Sequence, residues 1–494
     1  MLTAIILLPI VGALALALAR PPANVARLCA TAMAAVSFVL LIIVWIARDA
    51  GAGFSFVQSV VWLQPLDIAW RVGVDGLSLP IMLMSAIVFV AAIAWPMPAL
   101  ERPAAYYAWL SFLLGCSLGV FAALDLVLFY VFFDLSLVGM YFLIGRWGHG
   151  DAQRSALTFF IYTLVGSLAL LLGLIMLAIS TPEVSFDLRT VIAARPLADA
   201  GLAADLTLLA LIFGLAVKTP LFPVHGWLPP AHVDAPGPAS TILAGVLLKM
   251  GTYGMARLAM QAMPETFARW AAALAVLAVI SLLWGAMVSF AQQNLKRRIA
   301  YTSINHMGYV VLGIAVAGAA LGNEATRSAA LSGAIIEMVA HGLITGTLFL
   351  LAGALWQRTA DYSLPNHGGL AQVAPRFAGI TALAAFASLG LPGLAGFVAE
   401  LQIFVGAFAA WPWLAAVALT GILITAAQFL ILLRSLLFGP PARAGRVVED
   451  LRGIEWIVVI VLMGLVVLIG VWPGWLIAMI GPGSLLVPLA SHGA

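Results

Sequence analysis

Apolar runs of about twenty residues recur along nearly the whole of this 494-residue chain, and no other feature restricts its folding as severely. A run of that length is what a helix needs to cross the hydrocarbon core of a bilayer. Fourteen can be counted, at roughly 1–20, 25–47, 75–97, 104–123, 125–145, 155–180, 203–226, 238–259, 267–290, 299–321, 326–356, 374–410, 411–438 and 453–480. Composition agrees with this reading. Apolar residues make up 64% of the chain and charged residues 9%, against about half and a quarter in soluble domains. A water-soluble fold could not cover that much apolar surface. The expected fold class is therefore an all-α membrane protein of about fourteen transmembrane helices. The first run is followed by Arg20-Pro21-Pro22 rather than a small-residue cleavage site, so it reads as a retained helix.

Lys and Arg in the connections set the orientation. Connections after odd-numbered helices hold fourteen of them, including Arg146, Arg154, Lys296, Arg297, Arg443 and Arg446; connections after even-numbered helices hold seven. The odd side is expected to be cytoplasmic, with both termini outside. Residues 49–74 read as an outside loop long enough for a small hairpin. The two cysteines, Cys29 and Cys116, show no metal or disulfide spacing. With no nicotinamide, flavin, iron–sulfur or haem motif, no cofactor or metal is expected, and the chain should carry no electrons.

Two spans contain internal breaks. Lys218-Thr-Pro-Leu-Phe-Pro puts two prolines into the seventh, and Gly390-Leu-Pro-Gly-Leu-Ala-Gly interrupts the twelfth. Proline removes a backbone hydrogen bond and glycine lets the chain leave helical geometry. Backbone freed at membrane depth survives only inside protein or beside water. Matched breaks in two halves point to an inverted repeat with a transport site, here helices 4–8 and 9–13. Pro220 to Pro392 and Asp134 to His306 are both 172 residues apart. The chain thus divides into an N-terminal three-helix segment with its loop (1–103), a first repeat (104–260), a second repeat (261–438), and a cytoplasmic loop with the C-terminal helix (439–494).

Ionisable residues within apolar runs are costly and mark ion or proton pathways. Lys218 and Lys249 are the two basic residues not assigned to a connection. Asp134 lies mid-helix, where it is either a protonated, hydrogen-bonded acid or one paired with Lys218. Lys249 can act as a relay, because a buried lysine gives up its proton readily; snorkelling to an interface is the alternative. His306 and His341 follow, each relay or structural hydrogen-bonder. Glu337 precedes His341 by one turn, on the same helical face. Glu400, just past the second break, is the last buried acid and suits a terminal exit. His225, His232 and Asp234 near the first break read as structural residues at a mouth. The candidate relay is then Asp134, Lys218, Lys249, His306, His341, Glu337 and Glu400.

Several longer blocks carry a resemblance. They are Val74-Asp-Gly-Leu-Ser-Leu, Ala216-Val-Lys-Thr-Pro-Leu-Phe-Pro-Val-His-Gly-Trp-Leu-Pro, Leu243-Ala-Gly-Val-Leu-Leu-Lys-Met-Gly-Thr-Tyr-Gly, Ala300-Tyr-Thr-Ser-Ile-Asn-His-Met-Gly and Ser388-Leu-Gly-Leu-Pro-Gly-Leu-Ala-Gly-Phe-Val-Ala-Glu. Together they resemble the antiporter-like membrane subunits of respiratory complex I, and among these subunit M of NADH-quinone oxidoreductase. The resemblance implies a proton-translocating subunit of a bacterial inner-membrane complex, with quinone reduction done by partner subunits and L- and N-like neighbours beside it. Lipid and the transported proton complete the expected partners; nucleic acid is not among them. By position, Asp134, Lys218, Lys249, His341 and Glu400 match the family's charged residues of helices five, seven, eight, eleven and twelve. Asp134 stands where glutamate is usual and Glu337 where glutamine is commoner. His232-Val-Asp-Ala-Pro-Gly-Pro-Ala-Ser departs from a usual Glu-Ala-Pro-Thr-Ala-Gly stretch, so Gly237 and Pro238 should alter the start of the eighth helix. The departures suggest a divergent paralogue. A cation/proton antiporter subunit of the Mrp type, a hydrogenase- or carbon-uptake-linked relative, and a scaffold silenced for transport are the other readings.

Overall fold

A computed structural model describes residues 1–49, 53–98, 100–198, 200–320, 323–439 and 448–481. Arg443 and Arg446, counted above among the cytoplasmic charges, lie outside the described residues. The chain opens with two apolar helices, α1 (Leu2–Ala19) and α2 (Ala23–Ala47). The expected hairpin follows: β1 (Ser55–Leu63) and β2 (Ile68–Val74) pair antiparallel, with Val60 opposite Trp70. It is pinned to the helices by Arg71, whose Nη1 lies 3.0 Å from Asp125 Oδ2. Asp125 also starts the fifth helix, accepting hydrogen bonds from the Val127 and Leu128 amides, the usual way an orphaned first turn is satisfied.

Next come α3 (Ser78–Ala94), α4 (Pro103–Ala122), α5 (Leu126–Trp147), α6 (Ala152–Ile179), the short α7 (Leu188–Ala194) and α8 (Leu202–Lys218). Helix ends at Lys218, where Pro220 and Pro223 deny the backbone its donors, and resumes only at α9 (Leu228–Asp234). The expected eighth helix is not regular. It starts as α10 (Gly237–Ile242), passes through a π-helical stretch at Leu243–Leu247, becomes α11 (Leu248–Gly254), and ends in a second π stretch at Met255–Met260. Gly237 heads it because a Cβ there would come to 2.9 Å of the Gly353 Cα.

The second half holds α12 (Pro264–Phe290), α13 (Leu295–Ala319), α14 (Glu324–Thr359), a single turn α15 (Leu370–Val373), α16 (Pro375–Ser388), α17 (Ala395–Ala410), α18 (Pro412–Leu437), α19 (Ile454–Val471) and α20 (Gly474–Ile480). The second break runs between α16 and α17, with Gly390 and Gly393 at positive φ of 75° and 89°, where glycine alone is unstrained. Asp450 closes the N-terminus of α16 by accepting from the Arg376 and Phe377 amides at 3.0 and 2.9 Å.

Among the described residues, ten helices are long and apolar enough to cross a membrane. The four other runs of the sequence correspond to the shorter α3, to α8 with its break, to the π-interrupted α10–α11 segment, and to the broken α16–α17. The 36-residue α14 threads the centre, packed on α3, α10, α13, α16, α17 and α19. The outer helices turn large apolar side chains outward, among them Leu18, Ile46, Leu423 and Trp413. A soluble protein rarely tolerates such a belt; lipid is its solvent.

Candidate proton path

Lys249 sits where backbone geometry has been altered to receive it. The π stretch before it displaces the carbonyl five residues back, and its ammonium donates to Ala244 O at 2.6 Å. π turns inside helices are rare and cluster at functional sites. The same Nζ stands 2.6 Å from Nδ1 of His341 on α14. Small residues bring the two helices together: a Cβ on Gly342 would lie 3.0 Å from the Gly245 carbonyl oxygen. Close backbone approach of this kind is how helices pack when lipid gives no hydrophobic drive.

From His341 the polar groups continue. The His341 and His306 rings are 5.5 Å apart, and His306 Nδ1 lies 3.0 Å from Glu337 Oε1. Glu337 therefore pairs with His306 across α13, not with His341 one turn along its own helix. Each imidazole has its partner on another helix, His306 with Glu337 on α14 and His341 with Lys249 on α11. Glu400, on α17, is within electrostatic reach of Glu337. Gly390 leaves room for it, since a Cβ there would collide with the Glu400 carboxylate. Tyr309, one turn beyond His306, stands within electrostatic reach of both acids. Lys249, His341, His306, Glu337 and Glu400 are all at most 5% exposed. His341 Nε2, His306 Nε2, Glu337 Oε2 and Tyr309 Oη are buried without a protein partner, the kind of atom that ordered water joins.

Lys218 and Asp134 are arranged differently from the expected ion pair. Lys218 is the last residue of α8, where the negative end of the helix dipole favours a cation. Its Nζ donates to Ser136 Oγ at 3.0 Å and lies over the Phe133 ring. Phe133 and Ser136 share one face of α5; Asp134 is rotated about 100° from Phe133 and faces Tyr130 and Ser167 instead. Its Oδ1 is buried and unpartnered. Asp134 remains close enough for its charge to act on Lys218.

Three residues assigned to a mouth separate. Asp234 does line one: a polar cavity of about 430 Å³ bounded by Asp151, Arg154, Ser155, Asp234 and Arg297, with Ser155 Oγ donating to Asp234 Oδ2 at 2.5 Å. His225 is buried at the break and accepts from Trp284 Nε1 at 3.1 Å. His232 is not at the surface. It is fully enclosed, stacked 4.3 Å from Phe349, and neither ring nitrogen has a partner. Lys296, assigned to a connection by the sequence, is also fully buried. Its Nζ donates to Ser240 Oγ at 3.1 Å and to Ala235 O, above the Tyr362 ring. The stem at the start of α13 turns inward because carbonyls freed around α9 and Pro236 await a donor there. Arg257 likewise leaves its expected loop for a buried pair with Asp75 at 2.6 Å. His232 lies within electrostatic reach of both Lys296 and Lys249. Spacing gives no sign that Lys296 and His232 are buried together here; the His306-x-x-Tyr309 spacing was a usable signal for Tyr309.

Residues 123–425 match the family model described as NADH:quinone oxidoreductase/Mrp antiporter, transmembrane. This chain belongs to that family. Among relatives of this antiporter-like chain, an NAD(P)H-quinone oxidoreductase chain 4 of Synechococcus elongatus is 36% identical over 485 residues, covering 96% of this chain and 88% of the relative. Another chain 4, from Thermosynechococcus vestitus, is 39% identical over 409 residues, covering 82% and 74%. A chain of respiratory complex I from Thermus thermophilus superposes with a TM-score of 0.87 at 31% identity, covering 99% of this chain and all of that one. A chain of the Mrp complex from Dietzia sp. superposes at 0.85 with 19% identity, a likeness of fold alone. The antiporter-like subunit is thus a multi-pass membrane protein of the complex I type.

Proposed function

We propose that this antiporter-like subunit moves protons across the membrane as part of an NADH:quinone oxidoreductase, and that its relay comprises Lys218, Lys249, His341, His306 and Glu400, with Asp134 controlling Lys218 and Glu337 orienting His306. The observation that carries the proposal is the sequence of contacts Lys249–His341–His306–Glu337, buried on every side. Structural packing has no use for four titratable groups held this closely at the centre of a lipid-solvated bundle, since each costs several kcal/mol to bury unpaired. Protons would be taken up at the Asp234 cavity, pass Lys296 and His232 to Lys249, and leave by Glu400. Asp134 and Lys218 form a second arm whose separation sets how readily the lysine releases its proton.

The chain's part is non-redox: it binds no electron-carrying cofactor, and neighbouring L- and N-like subunits flank it in a bacterial inner membrane or, as its cyanobacterial relatives suggest, a thylakoid. Fourteen spans in two inverted five-helix repeats, 104–260 and 261–438, framed by 1–103 and 439–494, accommodate the two breaks. Identity to quinone-oxidoreductase chains well above that to the Mrp chain favours this reading over a cation/proton antiporter. The test is proton translocation per quinol formed by the purified complex in proteoliposomes. Lys218→Ala should abolish pumping while the complex stays assembled; normal pumping in that variant rejects the relay.

A further inference from the structure

The helices α2, α3, α14, α19 and α20 enclose an apolar groove of about 350 Å³. Every lining side chain is apolar, and its floor includes Met84, Val339 and Leu343. Tryptophans gather at one end: Trp45 and Trp475 have ring centroids 5.7 Å apart, and Trp472 is beside them. Trp at one level of a membrane protein marks the headgroup boundary. Arg48 closes the same rim. Its Nη2 donates to the carbonyl of the lining residue Met479 at 2.6 Å, while Nη1 is buried and has no hydrogen-bond partner among the described residues. Trp475 Nε1 is buried and unpartnered as well.

We infer that this groove is a specific site for one anionic phospholipid of the bilayer, an acyl chain lying in the groove and the phosphate accepting from Arg48 Nη1 and Trp475 Nε1. Two donors without an acceptor are expensive when buried, and phosphate oxygens are the strong acceptors a guanidinium matches. A free phosphate ion would leave the apolar groove unfilled. The bound chain packs against Met84 and Val339, with Met84 directly behind Gly342, the residue next to His341. It thereby seals the proton path from the lipid side.

Photo-crosslinking on the purified, fully assembled complex tests this. Three probes are used: phosphatidylglycerol and phosphatidylcholine with a diazirine on one acyl chain, and an isoprenoid quinone with a diazirine on its tail. Phosphatidylglycerol should label the Met84, Leu343 and Leu468 peptides about fivefold more than phosphatidylcholine, the preference one basic residue confers near anionic lipid. Arg48→Gln should lower phosphatidylglycerol labelling to the phosphatidylcholine level. Leu343→Trp, which fills the groove, should abolish labelling by both, with assembly checked by native electrophoresis. Equal labelling by the two lipids, indifference to Arg48→Gln, dominant labelling by the quinone, or cross-links from these peptides to a neighbouring subunit would each overturn the assignment.

Discussion

Nζ of Lys249 lies 2.6 Å from Nδ1 of His341, and at most 2% of either residue is exposed. At that distance one proton is shared between the two bases. Two buried cations side by side would repel strongly, so a proton arriving at Lys249 favours departure of the one at His341. Lys249→Ala and His341→Gln should therefore each halt pumping, and the double variant should be no worse than either single. Proteoliposome measurements on all three complexes decide it; additive partial losses would mean that the residues act separately.

Glu337 accepts from His306, a role an amide oxygen can fill. Glu337→Gln should leave pumping within about twofold of the parent, whereas Glu337→Leu should strand a buried imidazole N–H at a cost of about 1–3 kcal/mol and stop transport. Equal severity of the two would show that charge, not hydrogen bonding, is what position 337 supplies.

The Tyr309 hydroxyl lies within electrostatic reach of both Glu337 and Glu400. Tyr309→Phe removes one oxygen and leaves the ring contact with Phe404 intact. Expected is slower pumping with unchanged assembly and thermal stability, the decrease being about the 10²-fold lower bound for a lost proton-transfer group if the hydroxyl itself relays. An unchanged rate assigns Tyr309 to packing.

At Asp134 the prediction concerns reach. Asp134→Glu adds the methylene needed to approach Lys218 and should pump at least as well as the parent. Asp134→Asn, which removes the charge acting on Lys218, should lose pumping. A silent Asp134→Asn would favour a scaffold role for this half of the chain.

His149, in the connection between α5 and α6, stacks 4.1 Å from the Trp356 ring. Burial, aided by the Lys296 charge, pushes its imidazole down to about 4. An imidazole harder to protonate when folded gives its full stability above the ordinary histidine value near 6.5 and loses it as pH falls from there towards about 4. His149→Phe should flatten that part of the profile: the complex should melt closer to its neutral-pH temperature at pH 5 than the parent does. Parallel melting curves against pH would refute this account of His149.

The breaks after Lys218 and at Gly390, the hairpin in 49–74 and the burial of Lys249 and Glu400 were legible because proline, glycine and charge act on the backbone or on solvation wherever the chain runs. The π stretches around Lys249 were not: no residue type demands a π turn, and what accompanies the first one here is the packing of α10 and residues 243–247 onto α14. Lys296 and Arg257 read as loop charges because a stem of four or so rotatable bonds can point either way, and sequence does not say where the free carbonyls and Asp75 wait.

What the amino-acid order settled by itself was the solvent, the number of apolar runs, the points where helix must fail, and the burial of Lys218, Lys249 and Glu400; these are local consequences of hydrophobicity and backbone chemistry. Which of those groups touch was left to the tertiary structure. His306 with Glu337, Lys249 with His341, and Lys218 with Ser136 rather than Asp134 depend on the rotation and spacing of packed helices. A turn of 100° per residue makes those relations invisible until the neighbours are in place.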